Sequence, residues 1–280
     1  MNKDKVWLVT GASSGIGAGI VKAALEAGDR VVATARNVEK LQAAIGKSAS
    51  DRLAFVALDV TSEGQARKAV ATAVEKFGRI DVLVNNAGYS VIGTFESLSK
   101  NQIEEQIATN FWGTLHVVHA ALPTLRGQRG GHIINVSSTA GVMGYATCTA
   151  YAASKFAVEG LTLSLAQEVE KFGIKVTLVE PGFFRTDLLA PQSVVFGEIA
   201  VAGYDSPEAV RTTWQGYNGT QSGDPAKLGQ ALVTVAAMET PPKQFYAGSD
   251  AVSAATADLK ARLAEVERYQ SLSASTDGTF

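Results

Sequence analysis

Tyr151 and Lys155 stand four residues apart in the segment TAYAASKFAVEG, residues 149–160, where most other side chains are small. A phenol and an ammonium can both hold and pass protons, and that is the chemistry the spacing suggests. Ala152, Ala153, Phe156, Ala157, Leu161 and Leu165 recur at helical intervals, and no proline interrupts them. The segment is therefore predicted to be a helix. On a helix, positions i and i+4 lie one above the other on a single face, so the two side chains point the same way, about one turn apart. The pair alone reads more readily as a surface pair on an amphipathic helix. The small residues around it add something, because they let another molecule approach that face closely.

The rest of the chain must supply a frame for such a site. Short β-branched runs alternate with longer helical patterns: KVWLVT, RVVATA, LAFVAL, IDVLVN, GHIINVSS, IKVTLVEP and KQFYAG, separated by segments such as GIVKAALEAG and EGQARKAVATAVEKFG. Strand runs that are apolar throughout and alternate with helices predict a parallel sheet covered on both faces. Crossovers between parallel strands are right-handed, which makes this an α/β, doubly wound fold. No linker or repeat divides the 280 residues, so residues 1–280 are expected to form one domain. Two regions break the rhythm: residues 187–224, rich in Gly, Ser and aromatic residues, and the tail at 270–280, expected to be loosely held.

Bulk composition narrows the function classes. Lys and Arg number 25 against 27 Asp and Glu, for a net charge of −2, which gives no basis for nucleic-acid or anionic-membrane binding. The single cysteine, Cys148, allows no intramolecular disulfide and fits a reducing cytoplasm. The apolar run near the start is too short for a signal-peptide core, and no stretch approaches the length of a membrane span.

The first turn also carries chemistry. LVTGASSGIGAGIV places Gly11, Gly15 and Gly17 between a strand and a helix. Glycines there permit a tight turn and close approach of the backbone to a pyrophosphate, and the helix N-terminus offers free N–H groups to anions.

With these residues in view, the chain resembles the short-chain dehydrogenase/reductase family in its shorter, single-domain branch, and NADPH-dependent carbonyl reductases in particular. The motifs occur in order: TGASSGIG at 10–17, DV at 59–60, NNAG at 85–88, Asn110, NVSS at 135–138, YAASK at 151–155 and PGFFRT at 181–186. The resemblance implies a Rossmann-type sheet of about seven mainly parallel strands flanked by helices, a nicotinamide cofactor, and catalysis by Asn110, Ser138, Tyr151 and Lys155. In that scheme Tyr151 is the general acid/base. Ser138 donates to the substrate oxygen, Asn110 holds a water, and Lys155 also bonds the nicotinamide ribose. A free tyrosine has a pKa near 10. An ammonium at ~4 Å, with an effective dielectric of about 20, is worth about 4 kcal/mol, or roughly three pKa units toward the phenolate. Ser137 and Ser138 lie on opposite faces of a strand end, and the family's spacing to the tyrosine selects Ser138.

The cofactor contacts implied are Gly11, Ser13, Ser14, Gly15, Ile16 and Gly17 in the turn, then Asp59 and Val60 at the adenine. Asn86, Ala87 and Gly88 lie under the adenosine ribose, and Pro181, Gly182 and Thr186 lie beside the carboxamide, with Tyr151 and Lys155 completing the set. In VVATARN, Ala35 occupies the place of the acid that bonds a ribose 2′-OH, and Arg36 follows it. An arginine can bind a 2′-phosphate bidentately, so the cofactor expected is NADP(H). No metal is expected: His116 and His119 have no accompanying Cys, Asp or Glu cluster. Cys148 is expected to be a small buried residue near the pocket.

The implied substrate is a fairly apolar ketone or secondary alcohol. A steroid- or retinoid-type alcohol is the alternative, and a non-catalytic nucleotide-binding regulator is disfavoured by the intact tetrad. Residues 187–224 are expected to form a substrate lid bearing Leu188 and Phe196. Val91, Phe95, Met143, Tyr145 and Phe183 supply the remaining wall. Helices near 101–125 and 150–172 are expected to join subunits into a dimer or tetramer.

Overall fold

The computed structural model describes residues 4–46, 48–191 and 193–278. Its main sheet contains β1 (Val6–Val9), β2 (Arg30–Ala35), β3 (Leu53–Ala57), β4 (Val82–Asn85), β6 (Gly131–Val136), β7 (Ile174–Pro181) and β9 (Gln244–Ala247). The strand order is β3-β2-β1-β4-β6-β7-β9, and every neighbouring pair is parallel. The expected doubly wound sheet is thus present. The runs that predicted it are apolar on both faces because both faces are covered. On one side lie α1 (Gly15–Glu26), α2 (Val38–Ile45) and α8 (Pro225–Ala237), which bring Ile20, Leu41 and Leu232 into a core with Trp7 and Val31. On the other lie α3 (Glu63–Phe77), α5 (Gly113–Gln128) and α6 (Thr149–Val169), which pack Val70, Val117 and Leu165 against Leu8 and Ile133. Each fully buried side chain of this size stabilises the fold by about 1.5–3 kcal/mol.

The chain winds outward from β1 through β2 to β3, then returns to place β4 on the opposite side of β1. That reversal opens a crevice at the carboxyl ends of β1 and β4, where open α/β sheets bind ligands. α4 (Lys100–Ile107), begun by a Ser99–Gln102 capping box, runs into a π-helical turn at Ala108–Trp112 and then into α5. Among the described residues, no helix is long and apolar enough to cross a membrane.

Residues 187–224 are more ordered than their weak periodicity suggests. β8 (Val195–Phe196) pairs in parallel with β5 (Val91–Ile92) to form a separate two-stranded sheet. Ser206 then caps α7 (Pro207–Gly216) by accepting from the Ala209 N–H. α9 (Ser249–Ala274) continues through residues 270–274, and its outer half is exposed all round. Thr279 and Phe280 lie outside the described residues.

Candidate active site

Tyr151 sits in the first turn of α6 and Lys155 in the next. Lys155 is buried, and its Nζ donates to the Val136 carbonyl at 2.9 Å, at the carboxyl end of β6. The same Nζ lies 5.8 Å from the Tyr151 ring centre. The two residues after Val136 are the competing serines. Ser137 turns inward and its hydroxyl is buried. Ser138 opens a 3-10 turn (Thr139–Gly141), accepts from the Ala140 N–H at 3.1 Å, and shares a hydrogen bond with the Tyr151 phenol.

Asn110 lies in the π-helical turn, a distortion that often marks functional sites. Its amide donates to the Tyr89 carbonyl at 3.1 Å and to Ser154 Oγ at 3.0 Å, while its Oδ1 accepts from the Tyr89 N–H. A Cβ on Gly88 would stand 3.0 Å from Asn110 Oδ1 and 3.8 Å from Lys155 Nζ, so all four expected catalytic side chains converge on one place.

The electrostatics differ from the sequence expectation. Burial pushes the Tyr151 phenol up to about 12, and its bond with Ser138 only partly offsets this. Burial likewise pulls Lys155 down to about 8, with Glu159 acting in the opposite sense. The expected lowering of Tyr151 by Lys155 is absent. The ammonium is turned to a backbone carbonyl, and desolvation of the phenolate dominates. At neutral pH Tyr151 therefore holds its proton. Cys148 is buried with its thiol pushed up to about 12, so it is not a nucleophile. His116 bonds the Val60 carbonyl, and no metal-binding cluster occurs among the described residues.

The turn after β1 fits a dinucleotide on its own geometry. Gly11 and Gly15 have φ of +65° and +50°. A Cβ on Gly17 would lie 2.4 Å from the Gly11 carbonyl oxygen and 2.6 Å from Asn86 Nδ2. Asn86 pins this turn by donating to the Thr10 and Gly11 carbonyls, and the Asn86 and Ala87 N–H groups both reach Thr10 Oγ1. Ser14 starts α1 without a side-chain cap bond, and no acid lies in the first turn. The free N–H groups that begin at Gly15, Ile16 and Gly17 thus remain available to an anion. Ser13, beside them, is part-exposed. Thr186 closes over Gly15, with its Cγ2 2.9 Å from where a Cβ would sit. Pro181 ends β7, and Gly182 continues it through a bond to the Ala247 carbonyl.

Ala35 is buried at the end of β2 while Arg36 is exposed just beyond it. Asp59 accepts from the N–H and hydroxyl of Thr61, which turns its carboxylate into its own loop, and Val60 packs against Gly113.

Beside Tyr151 opens a cleft. Tyr145, Phe183 and Leu188 line it. Val91, Phe95, Met143 and Phe196 do not. Successive strand residues face opposite ways, so Ile92 faces the cleft while Val91 packs with Leu98 and Ala150 behind it. Phe196 is buried with Leu189 and Val210 beneath Arg211, and Phe95 is 60% exposed on an outer turn. The wall is completed by Leu189, Phe184, Cys148, Gln221 and Trp214, together with Ser90 and the Thr139–Ala140 turn. Phe183, Trp214 and Tyr217 form an aromatic cluster with ring centres 5.9–6.5 Å apart. Trp214 Nε1 also donates to Thr147 Oγ1 at 2.8 Å, which ties α7 to the segment before α6. The amphipathic pattern of α7 was the available signal for this tryptophan, but nothing local names its partner.

Comparisons with known proteins agree with this geometry. A sequence model described as short chain dehydrogenase matches residues 5–194. Oxidoreductase BOA17 of Botryotinia fuckeliana (strain B05.10) is 38% identical over 269 residues, covering 96% of this chain and 98% of that protein. A short-chain dehydrogenase from Streptomyces avermitilis has a solved structure that superposes with a TM-score of 0.88 at 37% identity, covering 99% of each chain. The structure of ElxO with NADP bound superposes with a TM-score of 0.71 at 28% identity, covering 87% of this chain and 96% of that one. The chain belongs to the short-chain dehydrogenase family of nicotinamide-dependent oxidoreductases.

Proposed function

We propose that the protein reduces a fairly apolar ketone to a secondary alcohol with NADP(H). The observation that carries this reading is the Tyr151 phenol lining an apolar cleft with Ser138, one helical turn from the buried Lys155. The cofactor would supply the hydride. The chain's own residues do the rest. Ser138 donates to the carbonyl oxygen and Tyr151 delivers its proton there as negative charge develops. Lys155 would bond the nicotinamide ribose, and Asn110 holds the backbone at Tyr89 in line with Ser154 on α6. The α1 N-terminus and the Gly11–Gly17 turn would hold the pyrophosphate, with Thr186 closing over them.

NADP(H) is preferred over NAD(H) because Arg36 stands exposed where a 2′-phosphate would lie and no acid ends β2. The relative with NADP bound is consistent with that choice. The cleft wall is aliphatic and aromatic, so bulky aryl or alicyclic ketones fit it better than small keto acids. Residues 187–224 act as its lid, and the Trp214–Thr147 bond is the latch. Trp112, Phe156 and Leu163 are 48%, 40% and 40% exposed on the paired helices, which supports a homo-oligomer joined there.

The test is a ketone panel followed by the near-ultraviolet absorbance of the reduced nicotinamide. The reading expects consumption of NADPH in preference to NADH, fastest with bulky apolar ketones. Activity confined to keto acids, or preference for NADH, would overturn it.

A further inference from the structure

Glu159 has no role in this reaction as described, yet it lies one turn beyond Lys155 on the sheet-facing side of α6 and is buried. A carboxylate buried without partners is unfavourable. Its Oε1 has no hydrogen-bond partner among the described residues, and neither has the buried hydroxyl of Ser137. The two share one small space. A Cβ on Gly141 would stand 2.4 Å from Ser137 Oγ and 2.9 Å from Glu159 Oε1, so glycine leaves the room they occupy. Lys155 Nζ, in turn, is held by the carbonyl of Val136, the residue just before Ser137. Lysine, strand end, serine and glutamate thus close a loop back onto the same helix.

We propose that Glu159 is a positioning residue that keeps Lys155 in its ammonium form, with Ser137 seating the carboxylate. This rests on the reading of Tyr151 and Lys155 given above.

The surrounding charges support that assignment. Glu180 faces Glu159 from β7, where it accepts from Gln244 Nε2 and the Phe245 N–H, each at 3.1 Å. Tyr246 approaches from β9. On α9, Asp258 acts on the same Tyr246 and is paired at 2.6 Å with Arg262, which also donates to the Val142 carbonyl. Lys155, on the same helix, is therefore the cation left to answer Glu159 among these groups. Burial raises Glu159 to about 7, and it raises Glu180 as well, which the Glu159 charge raises further. Lys155 is lowered to about 8, and the Glu159 charge raises it. Below about 7 the carboxyl is protonated and does nothing to Lys155. Above that value it is charged, in the range where burial would otherwise remove the ammonium's proton.

The test is Glu159→Gln, which keeps the shape and removes the charge, read as kcat/KM for ketone reduction against pH. The profiles should merge below about pH 6, where the native carboxyl is neutral too. The basic limb of the variant should move down by about one unit, making it about tenfold slower above the native Lys155 pKa. Glu159→Asp should restore part of the shift. Superimposed profiles, or a deficit equal at every pH, would overturn the proposal. Should Glu159→Gln fail to fold, Ser137→Ala carries the test. The Ser137 hydroxyl beside Glu159 favours its charged form, so its loss should move the basic limb down by a smaller amount, and an unmoved limb would overturn the proposal. Tyr151→Phe, assayed alongside, separates the two failures. If that variant is active, the reading of the site is wrong. If it is inactive while the Glu159→Gln limb is unmoved, only the role of Glu159 is wrong.

Discussion

The turn after β1 and the segment at 187–224 border the same crevice but are built by opposite means. The turn is almost all backbone: two glycines at positive φ, a third with no room for a Cβ, and one asparagine pinning the carbonyls. The segment is held by side chains and distant pairing. Val195 and Phe196 pair with Val91 and Ile92, and Trp214 reaches back to Thr147, whose own φ is +64°. A β-branched residue in that left-handed region is strained, and contacts from elsewhere must hold it there. Rigid backbone suits an invariant ligand such as a dinucleotide. Adjustable side chains on short elements suit a variable substrate.

Substitutions can break or sharpen that contrast. Gly17→Ala should have the largest effect, because its methyl group would meet the Gly11 carbonyl oxygen at about the 2.4 Å given above. Binding of NADPH, measured by fluorescence titration, should weaken by more than about a hundredfold (~3 kcal/mol). Binding that stays within a fewfold would show that the turn is softer than its geometry. Arg36→Asp should act next in size, lowering kcat/KM for NADPH by about ten- to a hundredfold and improving NADH relative to it. An unchanged cofactor ratio would remove Arg36 from the site. Trp214→Phe should have the smallest effect, since it keeps an aromatic wall but loses the bond to Thr147. One neutral hydrogen bond is worth about 0.5–1.5 kcal/mol, so the ranking of large against small ketones should shift by about two- to tenfold with NADPH affinity intact. A change in NADPH affinity instead would mean that the two regions are not independent.

The same contrast sets what was legible in the sequence. The sheet could be read because each strand is apolar on both faces, and the Gly-rich turn because its demands are local. Tyr151 and Lys155 were visible as a helical pair. The β5–β8 pairing was not, because it joins two-residue strands about a hundred positions apart with no pattern of their own. Val91 was expected in the wall in place of Ile92 because a two-residue strand offers no alternation from which to choose a face. Phe196 looked like a lid residue, but Arg211 over its ring and Val210 beside it hold it in a satellite core. The direction of the Tyr151 shift also escaped, since spacing shows that a lysine is near but not that Val136 takes its hydrogen bond. The helical continuation at 270–274 was not legible because its composition is polar and serine-rich, with no apolar face to show a period.

The central claim is that Tyr151, held protonated by burial, gives its proton to the substrate while the cofactor is bound by other groups. Tyr151→Phe tests it most directly, with ketone-dependent NADPH oxidation and NADPH affinity measured on the same preparation. The ring and its packing remain and only the transferable proton is lost. Turnover should fall by at least about a hundredfold, with NADPH affinity within a fewfold of the native protein. Turnover that survives within a fewfold would contradict the claim.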